Sequence, residues 1–231
     1  ILAMVFFVVA LIYPTLPNIS HLEKYYPKQP LQIYSKDEVL IAEFGEERRD
    51  FIAISETPQQ MINAILSIED RRFFEHPGID MIGITRAALK NISGKSHEGA
   101  STITMQVARN FFLTSEKTLK RKINEILLAI KIERTLSKEE ILELYVNQIY
   151  LGQRSFGFAA AANTYFGKNL DQLNLGETAL LAGLPKAPSR YNPLVRPHLA
   201  IKRQQDVLNS MLRHGYIDKP TYIIALDDPL S

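Results

Sequence analysis

From Gln59 onward the apolar positions recur at spacings of three and four, the period of a helix with one face in a core. Ile62, Ile65 and Glu69 fall in one row, and Phe73 continues it. Thr57-Pro58-Gln59-Gln60 reads as the start: a Thr cap, Pro at the first position, and Gln three residues after the cap. The pattern predicts a helix from there to about Phe74, stopped by Pro77-Gly78. The same period predicts helices over Met81–Ile92, from Ser101 through Arg109 and Phe111, and over Leu119–Arg134. Ser137-x-x-Glu140 opens another through Tyr150. Shorter helices are expected over Ala159–Tyr165 and Glu177–Leu184, and a last amphipathic one over Leu199–His214, ended by Gly215.

Period-two alternation occurs once, in "LQIYSKDEVLIAEF". It predicts a β-hairpin over Leu31–Phe44, turning at Lys36-Asp37-Glu38. "SGKSHEG" and "GLPKAPSRYNP" are loops by composition. The expected fold is therefore mainly α. At the start, Ile1 to Tyr13 is one apolar run ending at Pro14. A spanning helix needs roughly 20 apolar residues. Residues 1–16 are therefore expected to be the outer part of a truncated transmembrane anchor, with a signal-peptide core or a buried helix as rivals. Residues 17–50, Pro-rich and then alternating, are expected to form a juxtamembrane linker and the hairpin.

Composition narrows the chemistry. With 231 residues and 46% hydrophobic, one large domain can bury a core. A net charge of +2 does not call for nucleic acid, and the absence of cysteine excludes disulfides, thiol catalysis and cysteine-held metals.

Three clusters could carry chemistry. Glu69 sits on an apolar stripe, where desolvation favours the protonated form and makes a useful general base; a helix-end ion pair with Arg72 is the alternative. In "GASTITMQVARN", Thr102, Gln106 and Arg109 share a helix face behind Ser101. That arrangement suits an anion at a helix start, or an ordinary capped helix. In "KTLKRKINE", Lys117, Lys120, Arg121 and Lys122 precede Glu125, either as a solvated face or as a holder of polyanionic substrate. Taken together, and behind an anchor, they suit transfer involving a lipid-linked, phosphate-bearing molecule at a bilayer surface.

At these residues the sequence resembles the peptidoglycan glycosyltransferases of family fifty-one, the N-terminal catalytic domain of class A penicillin-binding proteins. The motif Glu-Asp-x-x-Phe-x-x-His-x-Gly is present as Glu69, Asp70, Phe73, His76 and Gly78. The second motif is matched by Gly99, Ser101, Thr102, Ile103 and Gln106, with Met105 replacing a Gln. Arg121, Lys122 and Glu125 form the third; Ile141, Tyr145 and Asn147 form the fourth. The resemblance spans about Ile33 to Tyr222. It implies a lysozyme-like, two-lobed helical glycosyltransferase domain over residues 51–222, with 223–231 beginning a linker to an absent C-terminal transpeptidase domain.

The implied reaction polymerises lipid II into β-1,4-linked glycan with inversion, releasing undecaprenyl pyrophosphate. Glu69 would be the general base. Arg109, Lys117, Arg121 and Lys122 would neutralise the leaving group, and Glu125 would orient that cluster or share a metal. Asp70, Phe73, His76, Ser101, Thr102, Gln106 and Asn147 would bind substrate or brace the cleft, with His76 and Asn147 open to a purely structural role. A divalent cation, Mg²⁺ or Mn²⁺, would accompany the pyrophosphate. The implied partners are lipid II, the growing glycan strand, the bilayer and moenomycin-type inhibitors. The implied location is the bacterial cytoplasmic membrane, single-pass, with the catalytic domain on its outer face. A lysozyme-like hydrolase or lytic transglycosylase, and a non-catalytic glycan-binding scaffold, are the alternatives.

Overall fold

The computed structural model describes residues 10, 12–20, 22, 25, 31–37, 40–45, 47–92, 99, 101–114, 116 and 118–227. Lys117, most of the expected anchor and all but Gly99 of residues 93–100 lie outside them. The described part is mainly helical. Among the described residues no helix is long and apolar enough to cross a membrane.

The chain divides into two compact units, Ile1–Tyr25 with Glu69–Tyr145, and Tyr26–Ile68 with Val146–Ser231. The boundary falls at the end of helix α1 (Gln59–Glu69), between Ile68 and Glu69.

The first unit holds helices α2 (Met81–Ile92), α3 (Ile103–Phe112), α4 (Leu119–Glu133) and most of α5 (Lys138–Gln148). Helices α3 and α4 pack along each other, burying Ile103, Val107 and Ala108 with Leu128, Ala129 and Ile132. In this unit α4 and α5 are capped as their sequences suggest. Thr118 accepts from the Arg121 amide, and Ser137 and Glu140 form the reciprocal box that opens α5. Helix α3, however, is capped by Thr102, whose hydroxyl accepts from the Met105 amide, and not by Ser101.

The second unit contains α1 up to Ile68, then α6 (Phe158–Phe166), α7 (Leu175–Gly183), α8 (Pro197–Arg213) and α9 (Lys219–Asp227). Strands β1 (Leu31–Tyr34) and β2 (Leu40–Phe44) pair antiparallel, Leu31 opposite Phe44. A three-stranded sheet joins β3 (Arg48–Arg49), β4 (Tyr150–Gly152) and β5 (Ser155–Phe156) in the order β3-β5-β4, with β3 parallel to β5. Its hairpin turns at Gln153 and Arg154, both at positive φ. The core gathers Met61, Ile65, Leu151, Phe158, Leu181 and Leu208.

Several boundaries differ from expectation; α7 and α8 each start two residues early. Helix α1 ends at Glu69, not near Phe74, because Asp70 turns away to bond another element. Helix α5 ends at Gln148, and Tyr150 enters a strand. Residues 219–227, most of them expected to be linker, form α9.

Candidate active site

Glu69 and Asp70 close α1 with two adjacent carboxylates, and both reach α3. Asp70 Oδ2 accepts the Ile103 amide hydrogen at 2.9 Å, satisfying an orphan donor of the first helical turn. One turn on, Gln106 Nε2 donates to Glu69 Oε2 at 2.9 Å. The helix that would orient the base is thus held by the base's own neighbour. Glu69 is half-buried. Arg72, its expected ion-pair partner, instead pairs with Glu75 at 2.7 Å and Asp80 at 3.0 Å. The hydrogen bond that Arg72 donates to Glu75, with the charges of Asp80, Glu75 and Asp70 nearby, raises the guanidinium pKa above its ordinary value.

The residues after Glu69 form a locked loop. His76 Nε2 lies 2.9 and 3.0 Å from the two Asp70 oxygens, and its Nδ1 accepts the Gly78 amide hydrogen at 3.2 Å. Because Nδ1 accepts, the proton sits on Nε2 and is donated to Asp70. Thr102 Oγ1 donates to the Gly78 carbonyl at 2.7 Å. Gly78 has φ +90, and a Cβ there would lie 2.9 Å from Glu133 Cγ. Lys138 reaches in from α5. Its Nζ donates to the His76 carbonyl and to Glu133 Oε1, each at 2.7 Å, and lies 4.4 Å from the centre of the Phe73 ring. Thr104 donates to the same Glu133 oxygen at 2.5 Å.

The third cluster lies on α4. Glu125, 1% exposed, accepts from Arg121 Nη1 at 2.9 Å and from Lys122 Nζ at 2.6 Å. Lys122 also donates to Ser101 Oγ at 2.8 Å, so the cation spans α4 and the start of α3. Thr102 takes the cap, which leaves the Ser101 hydroxyl to Lys122. Arg121 Nε is buried without a hydrogen-bond partner among the described residues. Arg109, half-buried in the last turn of α3, forms no ion pair among the described residues.

This geometry sorts the expected binding residues. Phe73 is fully buried, and Asp70, His76 and Thr102 are buried and engaged in internal bonds that hold the loop. Gln106 is buried against Glu69. Asn147, in the second unit, exchanges both amide bonds with the Ile52 backbone at 2.9 and 2.8 Å, a brace. Ser101, Arg109, Arg121 and Lys122 keep exposed surface. Sequence reasoning missed Thr104, Glu133 and Lys138. Lys138 sits inside the Ser137–Glu140 capping box and looks like surface. The only signal was a Glu and a Lys five residues apart across a helix break.

The metal at Glu125 does not fit. Both carboxylate oxygens are taken by cations, which would repel a divalent ion. Among the described residues no group of three or more His, Asp or Glu side chains is placed to hold a metal.

The Transglycosylase family model matches residues 37–212. The chain belongs to the transglycosylase family. It is 54% identical over 219 residues to penicillin-binding protein 1A of Neisseria gonorrhoeae and 51% identical over 219 residues to that of Pseudomonas aeruginosa. Each match covers 94% of this chain and 27% of the relative. The crystal structure of penicillin-binding protein 1A from Haemophilus influenzae matches with a TM-score of 0.52 and 33% identity, covering 90% of this chain and 21% of that one. The chain thus spans about a quarter of the length of the curated relatives it matches, and it carries a glycosyltransferase domain like theirs.

Proposed function

We propose that this chain is a peptidoglycan glycosyltransferase that polymerises lipid II into β-1,4-linked glycan for cell-wall synthesis. The observation that carries the reading is two carboxylates brought into one compact unit with two cations. Glu125 accepts from both Arg121 and Lys122, and Glu69, half-buried at the end of α1, accepts from the Gln106 amide on α3. The first suits an organiser of charge, the second an oriented general base.

Glu69 takes the proton from the 4-hydroxyl of the acceptor GlcNAc, and that oxygen attacks the anomeric carbon of the donor MurNAc. The undecaprenyl pyrophosphate leaves from the opposite face with inversion, and no covalent enzyme intermediate forms. Charge builds on the leaving pyrophosphate, where preoriented cations are most effective. Arg121 and Lys122, held by Glu125, would take that role, with Arg109 and Lys117 as further candidates. Ser101 holds Lys122 in register. A divalent ion, Mg²⁺ or Mn²⁺, would enter bound to the pyrophosphate and not through Glu125. Moenomycin-type phosphoglycolipids would compete for the same cations.

The domain reading accompanies this one: an anchor over 1–16, linker and hairpin over 17–50, a lysozyme-like two-lobed catalytic domain over 51–222, and from 223 a linker to a transpeptidase domain. It puts the catalytic domain on the outer face of the cytoplasmic membrane, beside its lipid-linked substrate. The test is Glu69→Gln in a lipid II polymerisation assay. Loss of polymer with an unchanged melting temperature is expected, because Gln still accepts from Gln106. Wild-type polymerisation by the variant would overturn the base assignment. Cleavage of preformed glycan without polymerisation by the wild type would overturn the transfer reading.

A further inference from the structure

We infer that Lys138, acting with Glu133 and Thr104, is a positioning residue for Glu69; this rests on the reading of Glu69 as the base. The trio ties the loop that follows Glu69 to the helix that orients it. Lys138 holds the His76 carbonyl, and His76 in turn holds Asp70, the residue next to Glu69. Through Glu133 Oε1 the same ammonium is tied to Thr104 on α3, two residues before Gln106. Asp70 closes the circuit at the Ile103 amide. The loop and α3 are thus fixed to one charged post, at both ends of the Glu69–Gln106 hydrogen bond.

The trio is costly as a stability device. The side chains of Glu133 and Lys138 are 7% and 19% exposed, so the pair gives up much of its hydration. Replacing such a pair with apolar side chains of similar size is often neutral or stabilising. What apolar side chains cannot supply is direction: three hydrogen bonds of 2.5–2.7 Å converging on Glu133 Oε1 and Lys138 Nζ. A reacting group misplaced by about 1 Å can lose roughly a hundredfold in rate. The post therefore acts on the chemical step and leaves substrate binding alone.

The test uses the whole chain carrying Glu133→Leu with Lys138→Met, which removes both charges together. Lipid II polymerisation is followed across substrate concentration, with the wild type and Glu69→Gln alongside. A melting temperature within about 3 °C of wild type is expected, with kcat down tenfold or more and KM within twofold. Amide exchange at Ile103 and Gly78 should accelerate at least tenfold. Combined with Gln106→Ala, the double substitution should cost less than the product of the separate effects, because both act through Glu69. A folded variant with wild-type kcat, an unchanged exchange rate, or strict multiplicativity with Gln106→Ala each overturns the proposal. If the double variant does not fold, Thr104→Val decides: it keeps the shape, removes one of the bonds to Glu133, and must lower kcat at unchanged KM. A wild type that makes no polymer sinks the functional reading instead, and the exchange rates still decide whether the post exists.

Discussion

Replacing Asp70 with Ala separates a holding role from a binding one. The carboxylate is 6% exposed and accepts from two donors, Ile103 N at 2.9 Å and His76 Nε2 at 2.9 and 3.0 Å. Loss of a cap of this kind costs about 1 kcal/mol. The charge-assisted bond from His76 is worth about 1.5–3 kcal/mol, and its donor would be left buried without a partner. Together these give a destabilisation of about 2.5–4 kcal/mol. For a chain of this size each kcal/mol moves the melting temperature by about 2–4 °C, so a fall of about 5–16 °C is expected. Circular dichroism at 222 nm against temperature reads it directly. Asp70→Asn should fall by less, since its amide oxygen still accepts one of the two hydrogens. A melting temperature within 2 °C of wild type for Asp70→Ala would refute the reasoning and return Asp70 to the ligand side of the site.

Three further outcomes follow from the same geometry. Lys122→Ala should lower polymerisation by roughly 10–100-fold, from about 1.5–3 kcal/mol for a charged hydrogen bond; a loss below tenfold in initial rate would argue against its leaving-group role. Gly78→Ala places a Cβ 2.9 Å from Glu133 Cγ and 3.0 Å from the Ala129 carbonyl at φ +90, so thermal denaturation should show a loss of about 1–3 kcal/mol; a wild-type melting curve would contradict it. Burial pushes the Tyr165 hydroxyl up to about 12 from 10.0, while it donates to the Leu151 carbonyl. The folded form therefore keeps a proton that the unfolded chain releases, a contribution fully present below pH 10 and lost as pH rises towards 12. Wild type should lose stability relative to Tyr165→Phe over that window in denaturant titrations, and a constant difference would be evidence against it.

The helices were legible because each core-facing helix repeats its apolar positions with the period of the backbone. Helix α2 was predicted with the bounds it has, and α4 to within one residue. What failed were features decided by residues distant in the chain. Nothing local stops α1 at Glu69: Arg71, Phe73 and Phe74 are compatible with more helix. Asp70 leaves it because the Ile103 amide, 33 residues on, needs an acceptor. The β3–β5 pairing joins two-residue strands more than 100 positions apart, too short for any alternation to register. Thr102 takes the cap of α3, one residue beyond the Ser101 at which the sequence reading began the helix.

A motif groups side chains that belong together; it does not say what each of them touches. Burial and hydrogen bonding show which are spent inside the protein and which keep exposed surface. Phe73, His76, Asp70 and Thr102 are consumed in fixing where α1 ends and α3 begins. Ser101, Arg121 and Lys122 are tied to one another and to Glu125 while keeping exposed surface. Loss of activity on substitution cannot distinguish these groups, since changes in both would lower it. The distinction lies in what accompanies the loss. Changes in the first group should lower the melting temperature along with the rate, whereas a change at Lys122 should lower the rate with little effect on melting, because its ammonium is partly exposed and Glu125 keeps Arg121.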